Sequence, residues 1–256
     1  MLEEKGLGNS TILAIVLGSD KTHLTNFSSD KKMHPLYLSL GNIHKSVQNK
    51  PTKWAWILLA NLPISKFSSQ EFHDTHLADK SKGMPGLLQK ILYHTCLHII
   101  LKPLHKYSGL ERPIVPISLL DAHGMIRPCV PMLMAWITDL EEVLDLLGLW
   151  RNTCPKCVAR YKDLGGNWTC ECHTGKSILS TLRQLRDTYP KAMTWQFAAK
   201  AQDMGLLGVE DLCWEGLSVD ICHVICLDLL HGLHKYISDH PKKWIENSIG
   251  KDALDA

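Results

Sequence analysis

The sequence predicts an α/β protein, of the α+β kind, in which a mixed sheet is flanked by helices. Short apolar runs bounded by Gly, Pro and polar residues recur over the first 62 positions, as strands do. A long segment with helical periodicity follows, and a later apolar run ends at an acidic residue. With 256 residues, 45% of them hydrophobic, the chain can bury a substantial core.

The first predicted strand delivers an aspartate to its end. Ile12–Leu17 is a continuous apolar run, and Gly18 and Ser19 bound it, so a buried strand is predicted to end at Asp20. A lone aspartate after a strand is usually a solvated turn residue, so position alone leaves the role of Asp20 open.

Two more strands are predicted after a basic polar loop at residues 21–32. They cover residues 36–40 and 53–62, and Pro63 closes the second. Three strands in succession favour an antiparallel meander. The polar stretch 67–86 is predicted to be a connecting loop.

The longest helical pattern covers residues 87–107. Its histidines, His94, His98 and His105, recur at spacings of four and seven and could share one side of the helix. Positions at the helix surface or boundary are favoured over a metal site.

A second apolar run that ends in an acid follows this helix. Residues 114–120 and 126–138 flank Asp121-Ala122-His123-Gly124, a turn sequence. The run at 126–138 stops at Asp139, and periodicity does not decide whether it is strand or helix.

The composition changes after Trp150, which predicts a boundary between a sheet core at 1–149 and a Cys-rich, mostly helical region at 150–256. Helices are predicted at 177–187, at 193–204 and at 217–237, the last ending before Pro241. Cys222 and Cys226 are predicted to be buried core thiols of that last helix.

Five residues of the second region form a candidate zinc site. Cys154-Pro-Lys-Cys157 is a compact turn whose two thiolates can bind one ion, and after twelve residues come Cys170, Cys172 and His173. The set resembles small structural zinc knuckles without matching a standard spacing. A redox role is less favoured, because the pair does not follow a strand in a thioredoxin-like unit.

The overall charge does not indicate a polyanionic partner, since 28 Lys and Arg face 26 Asp and Glu. The charge is nevertheless uneven: residues 19–53 hold six Lys against two Asp. Such a segment is usually a solvated face, and it supports a phosphate-bearing partner only weakly. The candidate contacts with nucleic acid are Lys21, Lys31, Lys32, Lys45, Lys50 and Lys53.

The N-terminal segment lacks the layout of a signal peptide, and no apolar run is long enough to span a bilayer. A nuclear or cytoplasmic protein is therefore expected, neither secreted nor bound to a membrane. In a reducing compartment the nine cysteines are expected to be thiols or metal ligands. No small-molecule cofactor is predicted, and the sequence leaves homo-oligomerisation open.

Several segments together resemble one protein family, the Plavaka-type transposases of fungal mobile elements, which belong to the CACTA (EnSpm) superfamily. The similar segments are residues 19–32, 35–46, 121–127, 131–139, 154–157 and 228–235. This resemblance implies an RNase H-like core of the DDE type. Known members are considerably longer, so this chain is expected to be a truncated copy.

The resemblance also implies a catalytic site in which Asp20 and Asp139 hold Mg²⁺ or Mn²⁺. Asp228 begins a segment similar to the family's Asp-Leu-Leu-His-Gln-Leu-His-Lys, with Gly232 in place of Gln. On the predicted helix, Asp228, His231 and His234 would share one side. The family's glutamate is not assigned: Glu246 and a residue beyond Ala256 both remain open.

The function expected from these features is that of a transposase-derived core that cleaves and joins DNA strands with divalent metal ions. Whether this chain is an active enzyme stays open at the sequence level. The alternative is a non-catalytic, zinc-stabilised module that binds nucleic acid or protein.

Overall fold

A mixed sheet of six strands organises the part of the chain that the structure describes. The structure is a computed structural model, and it describes residues 7–23, 32–65, 67, 84–110, 113–163, 166, 169–190, 194–228 and 235–250. Helices flank the sheet, so the predicted class, α/β with a mixed sheet, is confirmed.

The predicted antiparallel meander is present and forms one half of the sheet. Strands β1 (Thr11–Ser19), β4 (Pro35–Leu40) and β5 (Trp56–Asn61) pair in that order. Between β1 and β4 in the sequence, β2 (Thr22–His23) and β3 (Lys32–Met33) form a separate two-stranded ribbon. The rest of the predicted loop at 21–32 lies outside the described residues.

The third strand of the meander begins three residues later than predicted. A short helix, α1 (Lys45–Gln48), and a 3-10 turn at Pro51–Lys53 precede it. Proline favours the first position of such a turn, and Trp54 then takes a left-handed conformation with φ of 52°. Extended pairing therefore starts only at Trp56.

The long helix α2 (Met84–Ser108) confirms the predicted helix and starts three residues earlier than expected. Pro85 and Gly86 belong to its first turn. A proline is tolerated there because the first backbone N–H groups of a helix make no hydrogen bond within it. Most of the loop predicted at 67–86 lies outside the described residues.

The predicted turn at 121–124 joins β6 (Ile117–Leu120) to β7 (Ile126–Thr138). The apolar run that periodicity left undecided is therefore a strand. It pairs in parallel with β1 and antiparallel with β6, so it is central to the sheet, and residues 129–133 are buried in succession.

The helix predicted at 217–237 is wrong. One helical turn, α6 (Ile221–Val224), leads into a short strand, β8 (Ile225–Leu227), which pairs in parallel with β7. Hydrogen bonds along β7 favour the extended backbone there, and the local sequence does not reveal them. A separate helix, α7 (Lys235–Ile249), continues through Pro241, where an end was predicted.

The remaining helices are α3 (Leu140–Leu147), α4 (Gly175–Thr188) and α5 (Thr194–Asp203). The last two confirm the predicted helices to within two residues. Buried side chains from the sheet and from these helices form one hydrophobic cluster that crosses position 149, and among its least exposed members are Trp136, Leu146, Phe197 and Leu212. The domain boundary at 149 stays a prediction. None of the described helices is long and apolar enough to cross a membrane.

Candidate active site and cysteine cluster

Three aspartates follow three adjacent parallel strands. Asp20 comes directly after β1, Asp139 after β7 and Asp228 after β8. Gly18 pairs with Ile137, and Thr138 pairs with Leu227. Continuing these registers to the strand ends puts the three aspartates in one row across the sheet, with Asp139 in the middle.

This aspartate row is fixed by backbone contacts and by one helix cap. The backbone N–H of Asp228 donates to the carbonyl oxygen of Thr138 over 2.9 Å. Asp139 caps helix α3, because its Oδ1 accepts the backbone N–H of Glu142 at 2.7 Å. Asp20 is exposed, and its Oδ2 accepts a hydrogen bond from Thr22 Oγ1. The sharing of one ion by Asp20 and Asp139 stays a prediction.

Asp228 does not lie on a helix, contrary to the interpretation that grouped it with His231 and His234. It follows strand β8, while the two histidines lie outside the described residues. Glu246, the other candidate acid, lies on α7, where it pairs with Lys242.

Behind the row lies a buried carboxylate that the sequence analysis missed. Glu142 is 6% exposed. Its Oε1 accepts hydrogen bonds from Ser19 Oγ at 2.7 Å and from Tyr93 Oη at 2.9 Å, and His34 Nε2 lies 2.9 Å away. Trp136 Nε1 in turn donates to Ser19 Oγ over 3.1 Å. The available sequence signal was Asp139-x-x-Glu142, which matches the start of a capped helix but does not indicate these partners.

The surroundings of Glu142 favour its charged form. Burial alone would raise the pKa of Glu142, but its contacts with His34, Ser19 and Thr138 hold that pKa below its ordinary value. Burial, with the nearby Glu142 charge, raises the pKa of Tyr93, so the phenol keeps the proton that it donates.

A cavity of about 790 Å³ adjoins this end of the sheet. Asp139 and Glu142 contribute to its lining, together with the cationic side chains of Lys21, Lys32 and Arg151. Arg151 was missed because it lies outside the basic segment of the sequence. Lys90 also lines the cavity but pairs with Asp145.

The other predicted lysines lie elsewhere. Lys45 begins α1, which follows the far end of β4, while Lys50 precedes the 3-10 turn at Pro51–Lys53 and Lys53 ends it. Lys31 lies outside the described residues. The basic segment is therefore divided between the two ends of β4.

The structure pairs the two halves of the candidate zinc site. Cys157 and Cys172 form an antiparallel bridge, flanked by hydrogen bonds from Val158 N to Glu171 O and from His173 N to Lys156 O. This pattern is that of a non-hydrogen-bonded pair, in which the side chains of opposite residues lie close together on one face.

Two further details concern Cys154 and His173. The backbone N–H of Lys156 donates to Cys154 Sγ over 3.4 Å. His173 is buried, and its Nε2 has no hydrogen-bond partner among the described residues. Burial lowers the pKa of His173, although the backbones of Cys154 and Cys157 oppose that change.

The described cysteines are all free thiols. Within the described part of the chain, no group of three or more His, Cys, Asp or Glu side chains is arranged so that it could hold a metal ion. Among these described residues, neither the aspartate row nor the candidate zinc site forms such a group.

Two expectations about other side chains need correction. Cys226 is exposed, because it lies on β8 and not in a buried helix, whereas Cys222 is buried as predicted and burial raises its pKa to about 12. His94 is buried and does not lie at the helix surface or boundary.

The fold and the site together define a mixed α/β protein with acidic residues at the ends of three adjacent parallel strands. A family model described as Plavaka transposase matches residues 2–245, and the chain belongs to this family. A search of curated proteins gives no match.

Proposed function

We propose that this protein is a DNA-cleaving and strand-transferring core of the DDE type, derived from a transposase and dependent on Mg²⁺ or Mn²⁺. The observation that carries the proposal is the row formed by Asp20, Asp139 and Asp228. Membership of the Plavaka transposase family supports DNA as the substrate. The assignment to the CACTA superfamily of fungal elements rests on the sequence resemblance alone, and a DNA substrate favours the nucleus as the place of action.

The strand order supports an RNase H-like core. Three antiparallel strands are followed by the long helix α2, and then β7 adds in parallel beside β1 and β8 in parallel beside β7. Parallel strands end at the same edge of a sheet, so acids from distant parts of the sequence meet there.

Oxygen ligands on three neighbouring strands suit Mg²⁺, which keeps several waters and needs few carboxylates. When bound, such ions would help to activate the attacking oxygen and to stabilise the leaving oxygen of a phosphodiester. Asp20, Asp139 and Asp228 would hold them, with Asp139 in the middle of the row. The side chains would have to turn toward one point on binding, because no group of three in the described residues is preassembled.

The cavity beside Asp139 is the proposed path of the DNA backbone. Lys21, Lys32 and Arg151 line it, and cations of this kind neutralise phosphates without reading sequence. Lys31 and Lys45 stay candidates for further phosphate contacts.

We further propose that Cys154, Cys157, Cys172 and His173 bind a structural zinc ion, with Cys170 as the alternative fourth ligand. Three observations support it: the Cys157–Cys172 pair, the N–H···S contact to Cys154, and the buried nitrogen of His173 that lacks a partner. A buried polar atom without a partner is costly, and coordination of a metal would remove this cost.

The catalytic proposal is tested by cleavage of labelled DNA with Mg²⁺ or Mn²⁺. Asp20→Asn, Asp139→Asn and Asp228→Asn should each lower the rate by at least about 100-fold, because each removes a charged ligand. Asparagine caps helices as well as aspartate does, so Asp139→Asn should keep α3 intact. Asp203→Asn, on the exposed end of α5, is the matched control and should leave the rate unchanged.

Two results would contradict the catalytic proposal. One is a folded wild-type protein that cleaves no DNA with either metal ion. The other is cleavage that survives in all three aspartate variants. In either case, persistent DNA binding would instead support a non-catalytic module.

A further inference from the structure

Glu142 contacts both of the strand ends that carry Asp20 and Asp139, one through its buried carboxylate and the other through its backbone N–H. Its Oε1 accepts the hydroxyl of Ser19, the residue before Asp20, at 2.7 Å. Its backbone N–H donates to Oδ1 of Asp139, also at 2.7 Å. One residue therefore limits the position of the β1 end and the orientation of the Asp139 carboxylate.

Glu142 is itself held from two other elements. Tyr93, on helix α2, donates to Oε1, and His34, just before β4, lies at ion-pair distance from the same oxygen. Both partners are buried, so the carboxylate has little freedom to move. The contacts of Glu142 thus join α2, α3, β1 and the start of β4 directly behind the aspartate row.

Placing a carboxylate and its polar partners in the core is energetically costly. Burying a charged carboxylate costs desolvation energy, and apolar side chains of the same volume are often as stabilising or more so. What an apolar replacement could not do is accept the Ser19 hydroxyl and fix its direction. The value of the carboxylate therefore lies in geometry, in the way that outer contacts orient the ligands of a metal.

We propose that Glu142 is a positioning residue that keeps the strand ends carrying Asp20 and Asp139 side by side, so that their carboxylates can turn toward a shared divalent ion when it binds. This inference rests on the proposed function, and it adds Glu142 and Ser19 to the residues that determine metal affinity. Neither residue touches the metal or the DNA in this proposal.

The test measures Mn²⁺ binding by the full chain, using the electron paramagnetic resonance signal of free Mn²⁺. Ser19→Ala and Glu142→Gln should each weaken binding by about 10-fold or more, the usual cost of losing a contact that orients a metal ligand. Ser108→Ala is the matched control: it also removes a buried serine hydroxyl, far along α2, and should leave Mn²⁺ affinity unchanged. Asp139→Asn should abolish binding, which identifies the site.

A thermal melt of each variant separates positioning from a loss of stability. Folded Ser19→Ala and Glu142→Gln proteins that bind Mn²⁺ as tightly as the wild type would overturn the inference alone. If Glu142→Gln does not fold, Ser19→Ala decides the matter. A wild-type protein that binds no Mn²⁺ would overturn the proposed function, and this inference with it.

Discussion

His94 gives the stability of the protein a dependence on pH. Cys213 N–H donates to its Nδ1 at 3.2 Å, so Nε2 carries the proton and donates to the carbonyl oxygen of Asp145 at 3.0 Å. Burial lowers the pKa of His94 to about 4, from an ordinary value of 6.5. The folded protein thus keeps His94 neutral at pH values where the unfolded chain binds a proton.

We predict that His94 contributes stability that is fully present above about pH 6.5 and is lost as the pH falls toward 4. The lowered pKa corresponds to about 3 kcal/mol in the free energy of unfolding. Urea titrations at several pH values should show that His94→Gln, which does not titrate, reduces the pH dependence in this window. His123→Gln, in the exposed turn before β7, should retain the wild-type dependence, and an unchanged slope in His94→Gln would refute the assignment.

Some residues of the candidate active site could be predicted from the sequence, and others could not. Asp20 and Asp139 could be placed at the ends of apolar runs from local sequence alone, and the family resemblance implied their catalytic role. Glu142 could not be predicted, since its partners Ser19, His34 and Tyr93 are distant in sequence and meet only when the sheet and α2 pack.

At the scale of elements, few contacts join the two halves of the candidate zinc site. The described pairing between residues 154–158 and 170–173 consists of one bridge and a few hydrogen bonds. In small metal sites of this kind, metal binding supplies the free energy of folding.

We predict about one zinc ion per chain in protein purified without chelator, because cysteine and histidine ligands that close around a structural zinc ion hold it tightly. Elemental analysis should show that Cys157→Ser and Cys172→Ser lose the metal. Cys226→Ser, which alters an exposed thiol on β8, should retain it. A zinc content well below one per chain in the wild type would argue against the site.

Elements with strong local patterns were predicted correctly, and β8 was not. The meander strands and α2 each carry their own periodicity or apolar run, whereas Ile225–Leu227 is too short to show one. Its conformation depends on hydrogen bonds from β7, so the wrong helix at 217–237 reflects tertiary pairing that overrides local preference.

At the scale of the whole molecule, a nearly neutral chain places cationic side chains among the acids beside its aspartate row. The formal net charge is +2, yet Lys21, Lys32 and Arg151 line one cavity there. Binding through such contacts depends on the release of counterions and not on base sequence.

We predict that DNA binding is largely independent of sequence and weakens steeply as salt rises. In titrations of a labelled duplex, Lys21→Gln and Lys32→Gln should each reduce the slope of log Kd against log salt by about one. Lys176→Gln, at the exposed start of α4, is the control and should leave the slope unchanged. Tight binding at high salt with a preference for one duplex would contradict this prediction.

The position of β8 in the sheet also affects the order in which the strands can pair during synthesis of the chain. β1, β4, β5 and β7 can pair while the chain is still being synthesised, because residues 11–138 supply all of them. Asp228 can join the row only after residues 225–227 have been synthesised and have paired with residues 136–138. Contacts between segments so far apart in sequence form slowly. A nascent chain can therefore form most of the sheet before Asp228 completes the row of three aspartates.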